Sequence, residues 1–109
     1  MGRSALWGFI AAAAVVPSAA LTQGVGQPGL GALVATQVCA ECHAVAKREL
    51  ASPNPGAPAF ETLASTPGIT SIALFAALQT SHRTMPNLIF KGDDMANVVA
   101  YILSLKPGS

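Results

Sequence analysis

The sequence predicts an all-α fold for residues 21–109. Apolar side chains recur at three- and four-residue spacing in separate stretches, period-two alternation is absent, and Pro or Gly stands where the helical spacing stops. The whole chain has 109 residues, enough for one small domain. Its letters are 51% hydrophobic and only 10% charged, and much of that apolar excess sits at the N-terminus.

Residues 1–4 carry one charge, Arg3. Residues 5–16 then run without a charge or a hydroxyl, through Trp7, Phe9, Ile10 and four consecutive alanines, to Pro17, Ser18, Ala19 and Ala20. A basic start, a short apolar stretch and small residues at a break form a signal-peptide pattern, with cleavage expected after Ala20. As a helix this stretch rises about 18 Å, against about 30 Å of hydrocarbon in a bilayer, so it is too short for a stable anchor. No Cys lies near the cut to take a lipid. The expected product is a periplasmic domain of residues 21–109, with five basic and five acidic side chains. No later stretch is long enough to span a membrane, and so few cations make a poor grip on nucleic acid.

Residues 21–28, rich in Gly, Gln and Thr, read as a lead-in. Leu30, Leu33, Val34 and Val38 recur at helical spacing and predict a first helix over 30–38 that runs into Cys39. Residues 47–58 hold Pro53, Pro55 and Pro58 with Ser52, Asn54 and Gly56, a loop composition. A short helix is expected over 60–65, presenting Phe60, Leu63 and Ala64, before Pro67-Gly68 breaks it. Thr70 is placed to cap a helix over 71–79, with Ile72, Leu74, Phe75 and Leu78 inward. Residues 80–91, containing Met85-Pro86-Asn87, read as a loop. Asp93 is expected to cap the last helix, 94–105, whose stripe is Met95, Val98, Val99, Ile102 and Leu103; Pro107-Gly108 ends it.

The residues that carry chemistry are Cys39-Ala40-Glu41-Cys42-His43. Cys-x-x-Cys-His is the attachment pattern of c-type haem. Two vinyl groups on adjacent pyrroles require two thiols close together and in fixed order, and the following imidazole then reaches the iron. The same cysteines admit rival readings. A thioredoxin-like redox pair wants a βαβ setting, which the helical pattern does not provide. A zinc site needs four ligands, and only His82 remains as a further candidate. A disulfide across two residues is strained. Haem iron takes a sixth ligand or keeps an open site. Met85, 42 residues after His43 and stiffened by Pro86, supplies a soft thioether that favours ferrous iron. Met95 fits core filling instead. His82 as a ligand would give bis-histidine iron, but a loop position near a propionate fits it better, and Arg83 is a second candidate there.

Taken together, Cys39, Cys42, His43, Met85-Pro86 and the closing run Val98-Val99-Ala100-Tyr101-Ile102-Leu103 resemble the small class I c-type cytochromes of bacteria, over residues 26–106. The resemblance implies three to five helices wrapped around one covalently attached haem c. It implies thioethers at Cys39 and Cys42 and axial ligation by His43 and Met85. It also implies a close crossing of first and last helices, with Gly31 or Ala35 facing Tyr101. The Pro58 carbonyl, 15 residues after His43, is the expected acceptor for the ligating ring's N–H, with Pro55 as the rival. One departure stands out: residues 21–109 hold only Lys47, Lys91 and Lys106, so a lysine-ringed docking face is not expected. The activity implied is a periplasmic one-electron carrier, not an enzyme, docking transiently with a dehydrogenase, oxidase or cytochrome complex. The alternatives are a dedicated haem subunit of such a complex and a haem protein with a labile sixth site.

Overall fold

The computed structural model describes residues 2, 4–5, 7–15, 26–82 and 84–108. The expected cleavage point at Ala20, with Ser18, and the Arg83 side chain lie outside the described residues. Residues 7–15 carry no regular secondary structure and are exposed. Among the described residues every regular element is helical, and the only β feature is an isolated bridge between His82 and Met85. No described helix is long and apolar enough to cross a membrane.

Four α-helices are described: α1 Pro28–Val34, α2 Phe60–Ala64, α3 Ser71–Gln79 and α4 Asp94–Ser104. A π-helical turn, Ala35–Cys39, continues α1 without a break. Pro28 begins α1, two residues earlier than the apolar spacing suggested, because Pro is preorganised for a helix's first turn. Thr70 does cap α3: its hydroxyl accepts the Ala73 N–H at 3.1 Å. Asp93 does not cap α4 with its side chain. Its backbone sits at φ −92°, ψ 7°, not in the extended region that aims a capping carboxylate at the first free N–H groups.

The core lies where α1 crosses α4, the most extensive helix pairing among the described residues. Gly31 makes the crossing possible, since a Cβ there would overlap the Asn97 carbonyl and approach the Tyr101 Cβ to 2.8 Å. Gly26, at φ +69°, meets the Ala96 carbonyl just as closely. Buried Asn97 fastens the joint, its Oδ1 accepting the Gln27 N–H at 2.8 Å just ahead of α1. Val98, Val99, Ile102 and Leu105 then fill the centre with Ala35, Phe60, Ala64 and Leu74.

One inward face follows expectation and one differs. Leu30 and Leu33, whose spacing predicted the helix, are 45% and 60% exposed, and Gly31 faces Tyr101 as expected. The face turned to α4 is the small one, Gly31 and Ala35, because only small residues allow backbones this close. Ile72 is 79% exposed, so α3 packs through Leu74, Phe75 and Leu78 alone.

Candidate functional site

The π turn leads into the cysteine motif. Ala40 N–H bonds the Ala35 carbonyl at 2.9 Å, closing a ring one residue wider than an α-helix allows. Cys39 stays on the buried face with Ala35. One tight turn follows, in which the Cys39 carbonyl accepts both the Cys42 N–H at 3.2 Å and the His43 N–H at 2.9 Å. Both cysteines are free thiols. Burial pushes the Cys39 thiol up to about 11, so as a free group it stays protonated at neutral pH. Cys42 is only half-buried.

His43 lies against the aromatic ring of Phe60, with centroids 5.4 Å apart, and Phe60 in turn meets Tyr101 at 6.4 Å. Its Nδ1 is 2.7 Å from the Pro58 carbonyl oxygen. A carbonyl only accepts, so Nδ1 carries the proton and Nε2 presents its lone pair. Pro55, the rival acceptor, makes no such bond.

Residues 44–58 form a strap that returns from the motif to Pro58, and it is fastened at several points. Ala44 N–H donates to Ser52 Oγ at 3.0 Å, and the Ala44 carbonyl accepts the Phe60 N–H at 2.9 Å. Asn54 N–H donates to the Cys42 carbonyl at 3.1 Å. The Tyr101 hydroxyl reaches from α4 to the Val45 carbonyl at 2.6 Å. Arg48 sits at φ +66°, its N–H donating to the Glu61 carboxylate. Sequence reasoning missed these fastenings, although Asn54-Pro55-Gly56 is a turn signature that pointed to the one at Asn54. The Tyr101-to-Val45 and Arg48-to-Glu61 links join residues far apart in the chain and have no local signal.

Met85 is half-buried in the segment between α3 and α4, and its N–H donates to the His82 carbonyl at 3.1 Å. No hydrogen bond among the described residues ties Met85 to residues 39–58. His82 is exposed, its Nδ1 3.1 Å from the Thr80 carbonyl.

The donor set suits a covalently held haem: two free thiols at the ends of one turn, and a histidine whose outer nitrogen is committed to a carbonyl while the other is available. No group of three or more His, Cys, Asp and Glu side chains gathers to hold a metal among the described residues, so a tetrahedral ion would lack ligands. The chain is similar to cytochrome c-552 of Bradyrhizobium diazoefficiens, at 33% identity over 79 residues, covering 72% of this chain and 75% of that one. No family model matches the chain, and no solved structure matches it significantly.

Proposed function

The chain belongs to the c-type cytochromes, and on that premise we propose that it is an exported, monohaem class I one-electron carrier of the periplasm. The observation that carries this reading is the 2.7 Å approach of His43 Nδ1 to the Pro58 carbonyl, one residue from a free cysteine pair in a single turn. Cys39 and Cys42 would anchor the haem as thioethers. His43 would offer Nε2 to the iron, in a tautomer and orientation held by Pro58, and the same bond would make the ring a stronger donor. Met85 would supply a second ligand, its soft sulfur favouring the reduced state. Bound haem c supplies the one-electron couple. Were His43 and Met85 both to ligate the iron, the chain would leave no open position for a substrate, which favours a carrier over an enzyme. Redox proteins are the partners, met briefly at the haem edge.

Spectra of protein matured with haem-attachment machinery test the reading. Haem is expected to stay with the chain under denaturing conditions, and oxidised protein should show the far-red Met-to-iron charge-transfer band. Met85→Ala should abolish that band. A band missing from the wild type, with Met85→Ala leaving the spectrum unchanged, points to the labile-site alternative. A negative haem stain overturns the assignment of Cys39 and Cys42. Export is checked by the mass of periplasmic protein, which should lack residues 1–20. Membrane-bound protein of full mass would make those residues an anchor.

A further inference from the structure

We infer that Asn54 is a positioning residue for the axial histidine, setting the His43–Pro58 hydrogen bond from four residues away. This rests on the reading of His43 as the iron's ligand. Asn54 bonds in both directions. Its N–H donates to the Cys42 carbonyl at 3.1 Å, which ties the strap to the residue next to His43. Its side-chain Oδ1 accepts the Gly56 N–H at 2.9 Å, and its carbonyl accepts the Ala57 N–H at 3.0 Å. Those last two bonds fold residues 54–57 into a tight turn, and Pro58 is the first residue beyond it. The position of the Pro58 oxygen is therefore set relative to the motif through one residue, whose two main-chain bonds survive substitution and whose side chain closes the turn at Gly56. Ser52 holds the strap to Ala44 nearby but does not shape the turn. A carbonyl accepting from Nδ1–H raises the basicity of the ring and so favours ferric iron; loosening that bond shifts the balance toward ferrous iron.

Two neutral variants of the holoprotein test this. Asn54→Ala removes the side-chain acceptor. Asn54→Ser retains a shorter, weaker one of the kind that also forms such turns. In Asn54→Ala the reduction potential should rise, and solvent exchange of the His43 ring Nδ1 proton, followed by NMR, should quicken about tenfold. Asn54→Ser should change both in the same direction but less. A purely structural role would lower the melting temperature and leave potential and ring-proton exchange where they were, and that result overturns the proposal. Should Asn54→Ala fail to mature, Asn54→Ser decides alone, and wild-type values for both quantities overturn it. Wild-type protein without attached haem would instead remove the reading beneath, and the two failures are separable because haem content is measured first.

Discussion

The Tyr101 hydroxyl donates to the Val45 carbonyl, two residues beyond His43, so one phenol links α4 to the strap. Burial first and the negative charge of Glu49 second push its pKa above the ordinary value of 10.0. Tyr101→Phe leaves that carbonyl without its partner and should cost about 1 kcal/mol at neutral pH in denaturant titrations. The sign of the pH effect follows from the direction of the shift. Above pH 10 the unfolded chain releases the phenolic proton before the folded one does, so unfolding is progressively favoured as pH rises through the folded pKa. The stability gap between wild type and Tyr101→Phe should therefore narrow above pH 10, and a gap that widens would contradict it. Arg48, at φ +66°, carries a different local cost. A side chain in the left-handed region costs roughly 1–2 kcal/mol, and glycine forfeits part of that through its freer unfolded state. Since the bond to Glu61 is made by the Arg48 N–H, it survives substitution. Arg48→Gly should stabilise by roughly 0.5–1 kcal/mol, read as a higher midpoint of thermal unfolding. At this scale the Cys39–His43 motif stood out because attachment of one ligand to both thiols would dictate its spacing. Asn97, buried and bonded to Gln27 across 70 residues, was not, because nothing local distinguishes it from an exposed asparagine.

Helix positions were legible from periodicity and from Pro and Gly, while the buried faces were not always so. The spacing of Leu30, Leu33 and Val38 is real, but spacing alone says which residues share a face and not which face meets a neighbour. The crossing with α4 was decided by Gly31, which a count of apolar letters does not pick out and which only the family resemblance named beforehand. The π turn was also beyond reach, since Ala35–Cys39 carries no Pro or Gly to announce a change of pitch. A pair of substitutions separates the two uses of glycine within α1. Gly29 has open space around it, and Gly29→Ala should stabilise by about 1 kcal/mol through helix propensity alone. Gly31→Ala forces a methyl into the Asn97 carbonyl and should destabilise by about 3 kcal/mol, the upper end of ordinary overpacking. Chemical denaturation of the two variants checks both signs at once. Equal effects from the two would mean that the α1–α4 contact is looser than the structure has it.

For the molecule as a whole, Phe60, Leu74, Ile102 and Leu105 are the large side chains buried among the described residues, and four of the twelve buried hydrophobic residues are alanine. A domain of this length has little apolar burial to spare, so a cofactor fixed by two covalent bonds should add a large share of its stability. Cys39→Ala/Cys42→Ala protein should accordingly melt well below the holoprotein, as calorimetry can record. Charge at this scale bears on encounter instead. Residues 21–109 have as many acidic as basic side chains, five of each. Electrostatic steering works through net charge and through large patches of one sign, and it fades with salt because the screening length falls from about 30 Å at 0.01 M to about 8 Å at 0.15 M. Here the five cations are spread along the chain as Lys47-Arg48, Arg83, Lys91 and Lys106, with no run longer than that pair, which Glu49 follows. The bimolecular rate of electron exchange with a protein partner should therefore change by no more than about threefold over that salt range, against the tenfold or greater loss expected of a strongly steered pair. Stopped-flow rates at several ionic strengths measure this directly. A steep fall with salt would show that a few charges, placed close to the haem edge, outweigh the neutral total.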